Sequence, residues 1–71
     1  MAEITKRELG DLYLRARGIA FARLSEANAE GMDALFQTWM AEVANGRKTP
    51  EEAAAFIREM IEEMRKGGNN G

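Results

Sequence analysis

The sequence contains no cysteine and no histidine. The absence of cysteine excludes a disulfide, a thiolate zinc site and a thiol nucleophile. The absence of histidine removes the commonest metal ligand and the commonest general base. Short chains usually add a disulfide, a metal or a second subunit to a small core. We therefore expect no cofactor and no bound metal, with stability supplied by well-packed helices or by oligomerisation.

Long apolar runs are also missing. No stretch approaches the roughly 20 residues that span a bilayer, and the first eight residues lack the apolar centre of a secretory signal. A helix lying on a membrane surface would carry its arginines on one face, whereas Arg15, Arg17 and Arg23 are scattered around the helical circumference. Because the lack of cysteine also suits a reducing compartment, we expect a soluble cytoplasmic protein with no membrane partner.

The chain is short and its charge is unevenly distributed. Seventy-one residues make one domain at most, and such a chain buries only about 60% of its unfolded surface. The net charge is −2, yet residues 1–24 are basic, whereas residues 25–46 contain four acids and no base. The simpler interpretation is that a basic first helix lies beside an acidic second one. The alternative is a basic strip that contacts phosphates.

The first helix is predicted to begin at Thr5. Glu8 follows three residues later, which is the spacing of a capping box. Apolar residues then recur at the i, i+3, i+4, i+7 positions of one helix face: Leu9, Leu12, Tyr13, Ala16, Ile19, Ala20 and Leu24. Gly10 and Gly18 lie inside the segment, and each costs about 1 kcal/mol relative to alanine. The periodicity predicts a helix despite them.

The second helix is predicted to end at Asn45-Gly46, where glycine suits the left-handed position after a helix. Its apolar stripe lies nearly opposite that of the first helix if both are drawn as one straight helix. We therefore predict a turn or a kink around Asn28–Gly31.

The third helix has clear start and stop signals. Thr49 is the predicted N-cap, Pro50 suits the first helical position, and Glu51 and Glu52 favour the positive end of the helix dipole. The segment Arg65-Lys66-Gly67 is typical of a helix end. We expect one helical domain over residues 1–66 and a disordered tail over residues 67–71.

These segments predict an all-α protein. It is either a small bundle of three helices or a helical hairpin with a third helix whose core is completed by dimerisation. The predicted core consists of large apolar residues on the helical stripes: Leu12, Ile19, Leu35, Phe36, Trp39, Met40, Val43, Ile57, Met60, Ile61 and Met64.

Residue types suited to catalysis are few. The single serine, Ser25, has no histidine to activate it, and the lysines lie at helix ends or in a loop. Glu59, Glu62 and Glu63 share a helical face, where paired carboxylates can act as acid and base or hold a hard cation. Basic residues at helical spacing, however, make a solvated face the simpler interpretation. We expect no enzymatic activity.

A second apolar line on the first helix is the most informative feature. Leu14 and Phe21 are seven residues apart, away from the main stripe and beside the small residue Gly18. A helix that is apolar on two sides is buried on both. Either the other helices of the bundle cover this line, or a second copy or another protein does. The candidate interface residues are Tyr13, Leu14, Arg17, Gly18 and Phe21.

The predicted function is therefore protein–protein interaction, as a small adaptor, inhibitor or assembly factor and as a homodimer. Short helical chains of this composition are common among phage and mobile-element accessory proteins. The alternative is a small nucleic-acid-binding regulator that uses the basic first helix and the Arg47-Lys48 turn. This alternative is weakened by the glutamates on the exposed face of the third helix, which phosphates would repel.

Overall fold

The computed structural model describes residues 3–67, which form three α-helices. Helix α1 spans Lys6–Arg23, α2 spans Glu26–Ala44 and α3 spans Pro50–Gly67. Consecutive helices run antiparallel, so that α1 and α3 point the same way and their N-termini meet where the Ile4 N–H donates to Glu51 Oε2 at 3.1 Å. No strand occurs within residues 3–67. The prediction of an all-α bundle of three helices is confirmed.

Each helix begins at a side chain that caps its free N–H groups. The Glu8 N–H donates to Thr5 Oγ1 at 3.0 Å and the Thr5 N–H donates to Glu8 Oε1 at 2.9 Å, which confirms the predicted capping box. Thr49 and Glu52 form the same reciprocal pair at the start of α3, at 2.8 and 3.1 Å. At the start of α2, the Asn28 N–H donates to Ser25 Oγ at 3.3 Å.

The turn between α1 and α2 lies earlier than predicted. The chain leaves the helix at Leu24, and Ser25 is the N-cap of α2, so both Asn28 and Gly31 are helical. The prediction of a break at Asn28–Gly31 is therefore wrong in position, although the change of apolar stripe that motivated it does coincide with a turn. Ser25 starts α2 because its hydroxyl accepts a hydrogen bond from the otherwise unsatisfied Asn28 N–H.

A glycine ends α2 as predicted, but the predicted glycine stop of α3 lies inside that helix. Asn45 caps α2 and Gly46 has a φ of 76°, as predicted for the left-handed position after a helix. Gly67, in contrast, is the last residue of α3, so the predicted tail does not begin there. The remaining predicted tail, residues 68–71, lies outside the described part of the chain.

The core lies at the centre of the bundle, and the three pairs of helices do not pack equally closely. Helix α3 packs most extensively on α1, where Ala16 and Ala20 are fully buried and allow a close approach. Helices α2 and α3 make the sparsest of the three contacts, and aromatic rings fill the wider space between them. Trp39 and Phe56 stack with their centroids 4.5 Å apart. The wide α2–α3 gap leaves its outer edge less well covered than the rest of the core.

Most predicted core residues are in or against this core. Phe36, Ile57, Ile61 and Met64 are buried, and six more are partly buried against them: Leu12, Ile19, Trp39, Met40, Val43 and Met60. The prediction that Leu35 lies in the core is wrong, because 41% of this residue is exposed. It lies about 100° around α2 from Phe36, on the flank where α3 is too distant to cover it.

Candidate protein-binding surface on the first two helices

Leu14 and Phe21 project from the side of α1 that faces away from the core. Leu14 is 62% exposed and Phe21 is 40% exposed, which makes them, with Leu35, the large apolar residues left exposed within residues 3–67. Leu14 lies about 160° around the helix from Leu12, which packs against the core. The other two helices of the bundle therefore leave the second apolar line of α1 uncovered.

Arg17 lies between these two residues and connects them to α2. Its guanidinium carbon is 4.8 Å from the centroid of the Phe21 ring, and its Nε is 3.6 Å from Asp33 Oδ2. An exposed cation–π contact of this kind contributes about 0.5–1 kcal/mol. The two contacts hold the Phe21 ring and the Arg17 side chain in one arrangement, with half of Arg17 open to solvent.

Tyr13, one of the candidate interface residues, contacts α2 within the bundle. Its Oη donates to Asp33 Oδ1 at 2.6 Å, and its ring meets Phe36 edge to face at 6.4 Å. Tyr13 lies about 40° from Leu9 around α1, close to the centre of the buried stripe. The hydrogen bond to Asp33, with desolvation as a second cause, raises the pKa of Tyr13 above its ordinary value.

The neighbouring surface of α2 is made of small side chains. Asp33 and Gln37 border α1, and Gln37 Nε2 donates to Asp33 Oδ2 at 2.9 Å. Beyond them, Ala27, Ala34 and Ala41 are all exposed and are spaced seven residues apart. Sequence reasoning missed this alanine series, although its regular spacing is visible in the sequence. It forms a flat strip beside the apolar line of α1.

Both α1 and α2 contain internal glycines that no packing contact within the chain requires. A Cβ placed on Gly10, Gly18 or Gly31 would meet no atom within 4 Å. Each of these glycines has a negative φ, since Gly46 is the described glycine with a positive one. Because a glycine inside a helix costs about 1 kcal/mol relative to alanine, packing within one chain gives no reason for them.

A smaller exposed patch lies on the flank between α2 and α3. There Leu35 is near the edge of the Trp39–Phe56 stack, and the Lys48 Nζ is 4.8 Å from the centroid of a Trp39 ring. The lysine contact was not predicted from sequence. It places the Lys48 side chain of the turn before α3 over a Trp39 ring.

The remaining polar groups that the sequence singled out have ordinary structural surroundings. Within residues 3–67, no three histidine, cysteine, aspartate or glutamate residues come together as a metal site. The Ser25 hydroxyl is used as an N-cap acceptor. A shallow groove between α1 and α3 is lined by residues of both charges: Glu3, Glu8, Asp11, Arg15 and Arg58 among them. None of the helices within residues 3–67 has the length and apolarity needed to cross a membrane.

Three basic residues of the predicted nucleic-acid site contact other side chains of the chain. Arg17 contacts Asp33 in the middle of α2, whereas Arg47 Nη1 is 3.2 Å from Glu42 Oε2 near the C-terminal end of α2. Lys48 is placed against Trp39. No protein-family model, curated protein or solved structure matches the chain. The exposed face of α1 is therefore the feature of this chain that bears on its function.

Proposed function

We propose that this protein is a non-catalytic protein-binding module, of the adaptor, inhibitor or assembly-factor kind, and that it binds through the Leu14–Phe21 face of α1. The observation that carries the proposal is the exposure of these two large apolar residues, 62% and 40%, on one side of a well-formed helix. Fully burying a leucine or phenylalanine side chain contributes about 1.5–3 kcal/mol. A partner that covers both therefore gains a substantial part of a binding free energy.

The composition and rigidity of the face support this proposal. Aromatic and arginine side chains are enriched among the residues that dominate binding energy at interfaces, and here Phe21 and Arg17 are in direct contact. Both project from a continuous helix, and Arg17 is tied to α2 through Asp33. A pre-ordered face loses less conformational entropy when it binds. A cytoplasmic location is part of the proposal, since the chain has no cysteine.

The nucleic-acid alternative receives less support from the same contacts. Of the basic residues it would use, Arg17 and Arg47 have carboxylate partners, and Lys48 lies over an aromatic ring. Phosphate binding would have to compete with these contacts. Retention on heparin that weakens steeply with salt would favour this alternative, because phosphate contacts release counterions.

The proposal can be tested by photo-crosslinking. A benzophenone amino acid is placed at position 14, and, as a matched control, at position 55, where Ala55 is exposed on the outer side of α3. Illumination in a lysate of the native host should give protein adducts at position 14, including adducts between copies, that are weak or missing at position 55. Equal labelling at the two positions, or no protein adduct at position 14, would overturn the proposal.

A second test introduces charged side chains on the proposed face. Leu14→Glu and Phe21→Glu each place a carboxylate on the proposed face, and Ala55→Glu places one on α3. The first two variants should lose the position-specific partner while their circular dichroism remains helical, because an unpaired charge in a dry interface is strongly disfavoured. Ala55→Glu should bind as the parent does.

A further inference from the structure

We propose that the partner of this face is a second copy of the chain, with α1 of each copy lying antiparallel on α2 of the other around a twofold axis that runs along the helices. This inference rests on the proposed function, because it names the occupant of the same surface. Four features of the chain lead to it: the spacing of exposed residues, their position, their level in the bundle and the charge of the two helices.

The spacing is the same on both helices. Arg7, Leu14 and Phe21 are exposed on α1 at intervals of seven residues. The exposed alanines of α2, Ala27, Ala34 and Ala41, have the same interval. A seven-residue repeat keeps its members on one line and is the repeat of helix pairs that pack along their length. One helix therefore has a line of large side chains and the other has a line of small ones.

The two lines are on the same side of the bundle, away from α3. On α1, Leu14 is about 160° from Leu12, which lies in the groove beside Arg58 of α3. On α2, Ala34 is about 140° from Trp39, whose ring stacks on Phe56 of α3. The α1–α2 layer consequently has one outer surface with both lines on it.

The in-chain contacts determine which residues are level with each other. Tyr13 and Arg17 both contact Asp33, so position 15 of α1 is level with Asp33. Because the helices are antiparallel and rise equally per residue, Leu14 is level with Ala34, Phe21 with Ala27, and Arg7 with Ala41.

A twofold axis along the helices keeps every residue at its height and places α1 of one copy over α2 of the other. Leu14 then faces Ala34 of the second copy, and Phe21 faces Ala27 of the second copy. A large side chain opposite an alanine lets two helix axes approach within the usual 8–10 Å. Both pairs occur twice, since a twofold interface uses the same patch on both subunits.

The charges of the two helices favour this arrangement over the other possible orientation of the twofold axis. Helix α1 has five basic and two acidic residues, and α2 has four acidic and no basic residues. A twofold axis perpendicular to the helices would lay α1 on α1, with basic residues facing basic residues. The parallel axis lays basic α1 on acidic α2 and places the exposed Glu30 of the second copy level with Gly18, one residue from Arg17. Like charges placed opposite each other exclude the wrong pairing.

The helical glycines agree with this arrangement. Gly10 and Gly18 have empty space where a side chain would be, and each is four residues from Leu14, about 40° around α1 on the side that the second copy approaches. The closeness of a second backbone supplies the packing reason that a single chain lacks.

Cysteine cross-linking tests the inference, since the chain has no native cysteine. A tagged Leu14→Cys chain is mixed with an untagged Ala34→Cys chain and oxidised. A disulfide needs Cα atoms roughly 4.4–6.8 Å apart, so the mixed 14–34 product should dominate and neither variant alone should form a disulfide. The matched control is Leu14→Cys with Ala41→Cys, in which the second cysteine is displaced about 10 Å along α2. It should give no appreciable product.

Sedimentation provides the second measurement. The parent should sediment as a dimer at micromolar concentration, and Leu14→Glu should sediment as a monomer. If Leu14→Glu does not fold, Ala34→Glu serves instead, because Ala34 is exposed and has no role in the core. A monomeric parent, or a disulfide between two Leu14→Cys chains as the main product, would overturn the inference. A monomer whose position-14 benzophenone still labels a different protein would overturn self-pairing alone and leave the proposed function standing. The absence of any adduct would overturn both.

Discussion

The phenol of Tyr13 and the carboxylate of Asp33 join α1 to α2 through a hydrogen bond of 2.6 Å. Tyr13→Phe removes this bond and keeps the ring against Phe36. The free energy of unfolding should fall by about 1.5 kcal/mol, the low end of the range for a hydrogen bond to a charged acceptor, because the contact is only partly buried. Urea denaturation measures the change. An unchanged midpoint would show that water replaces the phenol without cost.

Alkaline pH should weaken the same contact. The pKa of Tyr13 is raised from its ordinary value of 10.0, chiefly by the hydrogen bond to Asp33. A group whose folded pKa is raised stabilises the protein below its unfolded pKa, and this stabilisation disappears as the pH rises through the folded pKa. Thermal melts from pH 8 upwards should therefore show a loss beginning near pH 10. Tyr13→Phe is the control and should lack this component of the pH dependence.

Acid should weaken the starts of α1 and α3. The pKa values of Glu8 and Glu52 are lowered from 4.5, first by the backbone N–H groups of Thr5 and Thr49 respectively and then by the threonine hydroxyls. The resulting stabilisation is present above about pH 4.5 and is lost as the pH falls through the folded pKa values. The double variant Glu8→Gln, Glu52→Gln keeps an acceptor at each capping box without titrating. Its melting temperature should depend less on pH between 5 and 2 than that of the parent.

Two phenylalanines should respond differently to truncation. Phe36 is fully buried, so Phe36→Ala should cost about 3–5 kcal/mol and approach complete unfolding of a small domain. Phe21 is 40% exposed, so Phe21→Ala should cost much less when the chain is monomeric. Circular dichroism melts at low concentration make the comparison. A similar loss for both variants would mean that Phe21 is a core residue.

Glycines in different conformations should also give opposite results. Gly46 has a φ of 76°, and alanine there should destabilise the fold by about 1–2 kcal/mol. Gly31 is helical with open space around it, so Gly31→Ala should stabilise the monomer by about 1 kcal/mol. Denaturant titration at a concentration where the chain sediments as a monomer measures the sign of the change in unfolding free energy for both variants. Destabilisation by Gly31→Ala would contradict this account of the helix.

Local chemistry was sufficient to predict the three helices and most of their ends. The Thr5–Glu8 box, the Asn45-Gly46 stop and the Thr49-Pro50 start each depend on residues within four positions of one another. Such bonds form wherever the chain goes next, which is why they can be predicted from the sequence. The α1–α2 turn was misplaced because Ser25 competes with Asn28 and Gly31, and the outcome depends on the lengths of both packed helices.

What only the tertiary structure decided is which apolar residues are covered. From the sequence alone, Leu35 and Tyr13 could each be a core residue or a surface residue. In the structure, the distance between α2 and α3 leaves Leu35 exposed, and the hydrogen bond to Asp33 holds Tyr13 against α2. The level of Leu14 with Ala34 depends likewise on contacts between α1 and α2. The sequence alone determined that α1 has two apolar sides and that its charge is opposite to that of α2. Helix packing determined which side stayed exposed, because burial depends on the distances between elements that are remote in sequence.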